Sequence, residues 1–518
     1  MSLLSLPNEL LTSIAQTFIP QVQDTMTNRA YYPNPYCGII QDRLTLLALT
    51  KTNRRLNAIA TPCLYHTIFI LDRLALYQLV WSLTLNKELA RLVRVLHVVS
   101  IFEGSLGDIA DKLDEALVKV ICEDGDMQLG RYLARCMEGR NELFLECTFP
   151  LLLCLVSHLQ CLYLHIPGEE DGIFSRIRSL WRVEDWQIIM DKMDRLYGDH
   201  PENFLPHLSL LSMTPERSAK EAVLYPEFVQ RFMGGSGNIR QVELFYPHLW
   251  SEDAAALSPD KWRNLESIRV VNASTSGVWW YELFKQAAPK LKKLDISLGP
   301  EYPTQPGKQD EDQRGFNEAL SLCAESLEYL RLEIETPHQP APAKHLPCIS
   351  SMTKLKHLEV SMTALFPISD AMEAAGDMDI CDILPPSLQT LCLNEEIWHP
   401  WRCPIMGTNI QHERLLHGAI LQLMYYGNEK LPRLKRVRVL AGEGIIIKNM
   451  NMNMIMTKRD PWGNHDMDIE VATSSCLTLT DFREEDSYQI DFSPLRGRDL
   501  RDRDMASEML SKLSILYP

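Results

Sequence analysis

The chain has 518 residues, 46% of them hydrophobic, and its 52 Lys and Arg against 68 Asp and Glu give a formal net charge of −16. That balance excludes phosphate-backbone binding as the main task, because such binding runs on clustered cations releasing counterions. The length exceeds one ordinary core, so two or three domains or an elongated repeat array are expected. The 13 cysteines are odd in number and scattered among apolar neighbours, the pattern of buried thiols in a reducing compartment. Glu9 breaks the first apolar run, and the oiliest stretch, FPLLLCLVSHLQCLYLHI at 149–166, carries His158 and Gln160 in its middle. Neither a signal peptide nor a membrane span is predicted. The expectation is an intracellular protein, cytoplasmic or nuclear, with no membrane and no nucleic-acid partner.

Taken in chain order, LPNELLTSIAQTF at 6–18 predicts a helix. Pro7 suits the first turn, where no amide donor is needed, and Leu6, Leu10, Leu11, Ile14 and Phe18 recur at spacings of three and four. Residues 19–41, IPQVQDTMTNRAYYPNPYCGIIQ, are rich in Pro, Asn and Tyr and predict an exposed inserted loop. Helical periodicity resumes in DRLTLLALTKTNRRLNAIATPCLYHTI, with Asp42 and Thr52 expected to cap two short helices. This first zone closes near residue 70.

The second zone, 71–456, repeats one short pattern: apolar, two variable, apolar, one variable, apolar. It reads IRQVEL from Ile239, LESIRV from Leu265, LKKLDI from Leu291, LEYLRL from Leu327, LKHLEV from Leu355, LQTLCL from Leu388 and LKRVRV from Leu434. Weaker copies are VRVLHV from Val93 and LQCLYL from Leu159. Between copies lie helical patterns such as WWYELFKQAAPKLKKL and FNEALSLCAESLEYL, and Pro-rich inserts widen the later spacings. The unit is a strand followed by a helix, and the fold class is α/β.

The array resembles leucine-rich repeats, which implies a solenoid of neighbouring short strands. It is an irregular one, since the Asn or Cys usual after the strand is replaced by Pro247, Ala273, Gly299, Glu335, Thr363, Glu396 and Gly442. With the fourth and sixth places facing the core, strand alternation turns the fifth outward. Those residues are Glu243, Arg269, Asp295, Arg331, Glu359, Cys392 and Arg438, a lane of mixed charge and the candidate surface for a target protein. RLKRVR at 433–438 is a basic end suited to an acidic or phosphorylated segment. Met and Asn alternate at 445–456, reading as a closing edge strand, and 457–518 is a charged segment expected to be partly disordered.

Signs of chemistry are absent. In HERLLH, His412 and His417 are five apart, diverging on a helix by roughly 140°, whereas a shared zinc face needs a spacing of four. Cys154, His158 and Cys161 have no fourth ligand at matching spacing, so buried cysteines are expected and no metal. GGSGN at Gly234 lacks the Lys and Ser or Thr that grip a phosphate. No cofactor and no catalytic residue are predicted.

The order LPNELLTSI, then LTLLALTKTNRRLNAIATPCLYHTI, resembles an F-box, the three-helix module by which substrate receptors attach to the Skp-type adaptor of cullin–RING ubiquitin ligases. The resemblance rests on Leu6 and Pro7, Glu9 with Leu10 and Leu11, Ile14, the Leu-rich second helix, and Asn-Arg-Arg-Leu followed by Tyr65. It implies an adaptor-binding surface drawn from Leu6, Pro7, Leu10, Leu11, Ile14, Leu47, Leu49, Leu56 and Tyr65. It also implies a receptor that holds an unknown target on Glu243, Arg269, Asp295, Arg331, Glu359 and Arg438 while partner subunits transfer ubiquitin. A repeat-based interaction scaffold with no ligase link is the other expectation.

Overall fold

A computed structural model of the chain describes residues 5–20, 37–70, 73–98, 149, 152–153, 155–166, 205–215, 238–245, 248–249, 262–275, 277–298, 309–334, 346–361, 365, 379–394, 422–423, 427, 429–441, 454–459 and 466–473. Its contacts divide into two units, 1–327 and 328–518.

The first unit opens with helix α1 (Asn8–Gln16), followed by α2 (Cys37–Thr52) and α3 (Arg54–His66). Pro7 sits just outside α1, where its carbonyl accepts the Leu11 N–H at 3.1 Å and its missing donor costs nothing. Two expectations need correction here. Asp42 lies inside α2 instead of capping it, because the helix begins at Cys37 and so takes in the last five residues of the segment read as a loop. The cap of α3 is Asn53, not Thr52: its side-chain oxygen accepts the Leu56 N–H at 2.9 Å, satisfying one of the orphan donors of a first turn. Ala15 of α1, Leu46 of α2, and Ala60 and Cys63 of α3 share one small core, with Phe18, Ile19, Leu49, Ile59 and Leu64 packed around it.

Helix α3 passes without a loop into strand β1 (Thr67–Ile70), whose four residues are all buried. After α4 (Arg73–Leu85) and α5 (Lys87–Ala90) come β2 (Val95–Val98), β3 (Cys161–Ile166), β4 (Leu210–Pro215), β5 (Gln241–Phe245), the short β6 (His248–Leu249), β7 (Ser267–Thr275), α6 (Gly277–Ala287), β8 (Lys293–Leu298) and α7 (Gln309–Leu322). Each strand pairs in parallel with the next, in the order β1-β2-β3-β4-β5-β7-β8, with β6 beside the end of β7. The oily run 149–166 therefore ends in a turn and β3, and among the described residues no helix is long and apolar enough to cross a membrane.

The register explains the sequence repeat. The fourth places align as Ile68, Leu96, Leu162, Leu211, Val242, Ile268 and Leu294, and the sixth as Ile70, Val98, Leu164, Met213, Leu244, Val270 and Ile296. All are buried. Two of these strands add copies that the pattern search missed: LSLLSM from Leu208 supplies β4, and β1 supplies Ile68, the last residue of the segment read as helical, and Ile70 just beyond it.

Helices α6 and α7 close the core of this unit. Trp279, Trp280, Leu283, Phe284 and Ala287 recur at helical spacing and are buried, and the Trp280 ring meets Phe316 of α7 edge-on at 5.8 Å. Helix α6 stops at Ala287, two residues before Pro289, whose ring disfavours helical geometry in the residue before it.

The second unit repeats the scheme with β9 (Tyr329–Ile334), a single 3-10 turn (Pro347–Ser351), β10 (His357–Ser361), α8 (Ile380–Ile383), β11 (Thr390–Asn394) and β12 (Arg436–Ala441). Strands β9 to β12 are parallel and sequential. Strand β14 (Asp466–Thr473) then pairs in parallel with β12, and β13 (Met454–Arg459) closes the order antiparallel to β14. The sheet of this unit thus continues into the segment read as a charged end. Buried Ser387 links successive turns by donating to the Leu355 carbonyl at 2.8 Å. Asp379 caps α8 and receives Lys430 at 2.7 Å; burial raises its pKa, but that ammonium and the Cys381 N–H outweigh it and hold the carboxyl below its usual range.

Trp280→Ala is expected to destabilise the first unit by about 3–5 kcal/mol, the cost of an aromatic cavity in a closed core. Chemical denaturation followed by circular dichroism reads this directly; a midpoint equal to that of the wild type contradicts the packing described.

Candidate functional site: the exposed helical face and the polar sheet face

Two surfaces carry the residues singled out from the sequence. The first is the helical module. Leu11 is 3% exposed and Leu56 4%, both buried, and Leu49, Leu6 and Tyr65 are half-buried. Leu10 and Ile14, four apart on α1, remain 52% and 37% exposed; Leu44 and Leu47, three apart on α2, remain 53% and 37% exposed. Four of the seven large exposed hydrophobics among the described residues thus fall on two helices of one small module. The cause lies in α2, where leucines at 44, 46, 47 and 49 point to several sides. Leu46 is buried in the core shared with Ala15 of α1 and Ala60 and Cys63 of α3, while Leu44 and Leu47 are left exposed. Leu44 was not predicted; the signal that reveals it is this all-round distribution.

The exposed face is held in place by Arg55, the second arginine of the Asn-Arg-Arg-Leu segment. Its Nε donates to Asn8 Oδ1 at 2.8 Å and its Nη2 to the Leu6 carbonyl at 2.7 Å, fastening the start of α1 to α3. Asn57 donates to the Thr50 carbonyl at 2.8 Å, joining α3 to the end of α2. Arg43 of α2 donates to the Thr67 carbonyl at 2.7 Å, tying the module to the first strand.

The second surface is the outward sheet face, where the register places Glu243, Arg269 and Asp295 side by side in the first unit. In the second unit it places Arg331, Glu359, Cys392, Arg438 and Glu470 in one row. The expected lane exists as a row, but its charges answer one another. Arg269 Nε lies 3.3 Å from Asp295 Oδ2, with the guanidinium 5.6 Å from the Phe245 ring centre, and Arg331 Nε lies 3.1 Å from Glu359 Oε1. Asp295 is buried, against the expectation that it faces outward into solvent. The basic end at 433–438 has Asp468 opposite Arg436 and Glu470 opposite Arg438 in the register, a pairing invisible from local sequence.

Toward β1 the same face changes character. Phe69, His97, Tyr163 and Ser212 occupy the outward row there and are buried, Phe69 and Tyr163 forming an apolar cluster with Leu210. The His97 ring sits between them, 5.2 Å from Phe69 and 5.6 Å from Tyr163. Burial, then Cys161 and Glu243, push the Tyr163 phenol well above its ordinary range, so it stays neutral.

A third row escaped the sequence reading altogether. The second place of each repeat lies at the turn edge and carries Arg240, Glu266 and Lys292 in the first unit, with contacts of 3.6 Å and 2.9 Å. In the second unit Glu328 and Lys356 meet at 2.6 Å. The hydrogen bond from Lys292 acts first on the Glu266 carboxyl, and with the charges of Lys292, Arg240 and Lys290 it outweighs burial and holds the group below its ordinary value.

His412, His417, Cys154 and Gly234 lie outside the described residues. Among the described residues no group of three or more His, Cys, Asp or Glu could hold a metal ion. No protein-family profile matches the chain, and no curated protein matches it.

Arg55→Ala is expected to loosen α1 by about 1 kcal/mol, the scale of two solvent-accessible hydrogen bonds from a charged donor. Faster amide hydrogen exchange across residues 8–16, with the strands unchanged, is the readout; unaltered exchange would show that the clamp is dispensable.

Proposed function

We propose that the chain is a substrate receptor of a Skp–cullin–F-box type ubiquitin ligase, with residues 1–70 as the F-box and the strand-helix units as a leucine-rich-repeat-like solenoid. The observation that carries this reading is the exposure of Leu10, Ile14, Leu44 and Leu47 on helices whose other leucines already satisfy a local core. A module this small has apolar surface to spare for a second chain, and burying each half-exposed side chain contributes about 1 kcal/mol. The Skp-type adaptor is the partner proposed for that face, and the polar sheet face is proposed to hold the target protein. Ubiquitin transfer would then belong to partner subunits, with this chain raising the effective concentration of target lysines and performing no catalysis itself. The setting proposed is cytoplasmic or nuclear.

A second reading is favoured by the Arg43 tie to the Thr67 carbonyl and by the direct passage of α3 into β1. In that reading the helices are an end cap for the sheet of an interaction scaffold, and the exposed leucines have no ligase role.

Capture of a purified Skp-type adaptor separates the two. The variant suited to it is Leu10→Asp with Leu44→Asp, because Leu11 is internal and its replacement would test folding instead. Wild-type capture reduced at least about tenfold in the double variant, a loss of over 1.4 kcal/mol, is the expected result. Undiminished capture would overturn the choice of surface, and no capture by the wild type would leave the end-cap reading standing.

A further inference from the structure

In the first unit the turns that lead into β2, β3 and β4 gather cationic and protonatable groups in a chain that is acidic as a whole. His158 and His207 occupy the same place in consecutive repeats, one residue before the first apolar position. Their rings stack 5.2 Å apart and only 12° from parallel. The N–H groups of Gln160 and Cys161 both donate to the Arg94 carbonyl, at 2.7 Å and 3.0 Å, which fixes the His158 turn beside the Arg94 turn. Arg94 is itself anchored at this edge, its Nη1 donating to the carbonyls of Arg91 at 2.5 Å and Val93 at 3.2 Å.

Among the described residues, the charges that act on His158 are cationic. Burial, then Arg94, His207 and Arg91, hold its imidazole below the ordinary value. Burial and Arg94 do the same to His66, which contacts the Thr67 hydroxyl at 3.0 Å. Among the described residues the carboxylate at this corner is Glu88, 2.9 Å from Arg91, with both side chains well exposed. Farther along the same edge, Glu266 sits between Arg240 and Lys292 and compensates them.

A cationic corner of this kind repels metal ions and attracts anions. The turn that presents His207 is also held in an uncommon shape. Leu205 is buried with φ at 50°, a left-handed conformation that a branched side chain disfavours, and its carbonyl accepts the Leu208 N–H at 2.9 Å. Strain of this sort persists where surrounding structure enforces it, and binding turns are a recurrent place for it.

We propose that this corner binds a phosphate-class dianion, with Arg91 and Arg94 supplying charge and the stacked His158 and His207 supplying ring N–H donors. The bound dianion favours the protonated form of His158, so binding takes up a proton and tightens as pH falls toward the ordinary imidazole range. The site goes beyond the docking reading and does not depend on it.

The test uses the full chain at constant ionic strength. Isothermal titration with sulfate, a dianion at both pH values, is compared at pH 5.8 and pH 7.4. The expected result is binding about fivefold tighter at pH 5.8, with the gain removed in His158→Asn and affinity reduced about fivefold in Arg91→Gln. Arg91 is exposed and His158 half-buried, and circular dichroism checks that both variants fold. Inorganic phosphate and a phosphoserine peptide then distinguish sources: tighter binding of the peptide assigns the site to a phosphorylated chain, and equal binding assigns it to the free anion. No binding at either pH, an affinity indifferent to pH and to both substitutions, or equal binding of the unphosphorylated peptide would each overturn the proposal.

Discussion

Among the described residues, the strand array hangs on one recurrent hydrogen-bond arrangement at the turn edge. The carbonyl of the second place in one repeat accepts two N–H groups from the next: Arg94 from Gln160 and Cys161, Ser209 from Arg240 and Gln241, Glu266 from Lys292 and Lys293. The second unit does the same with Glu328, Lys356 and Gln389. A carbonyl has two lone pairs, and using both here satisfies the backbone at the point where a buried chain would otherwise carry unpaired groups. It also fixes where each strand starts, and once the start is fixed the alternation of side chains follows without further instruction. Core places, outward row and edge row are all consequences of that starting point.

This explains why the strands were legible and much else was not. A fixed start with period two leaves a trace in any single repeat, so LKKLDI announces its strand unaided. LSLLSM escaped because Leu210 puts an apolar residue in a variable place and blurs the phase. The helices of the first zone were visible through their apolar spacing. Their boundaries were not: Thr52 and Asn53 are both competent caps, and only the helix start at Arg54 decides between them. Likewise nothing around Cys37 marks the start of α2, which is why Asp42 looked terminal.

The outward lane shows a different limit. Facing is a local property and was read correctly for Arg269 and Glu359, but pairing is not local. Whether Arg331 meets Glu359 depends on register carried across a Pro-rich insert of unrelated composition. A row that looked like displayed charge is therefore in part a set of internal bonds, and the sheet face owes more of its rigidity to them than the sequence suggested. The exposed leucines of the helical module were half legible for a related reason. Periodicity says that a helix has an apolar stripe; only the position of the neighbouring helix says which edge of the stripe is left over, and Leu44 became visible only then.

The alternating charges of the edge row have a consequence for how such a chain can change over time. Arg240, Glu266 and Lys292 read plus, minus, plus across three consecutive units. Removing the middle unit by an unequal recombination would set two cations side by side, and duplicating it would do the same with two anions. Arrays of similar repeats are prone to gain and lose copies; here the edge works as a parity check, in which an edit of one unit is penalised and an edit of two is not. Growth of the array in pairs, with each pair electrically neutral at its seam, is the pattern of variation that this row permits.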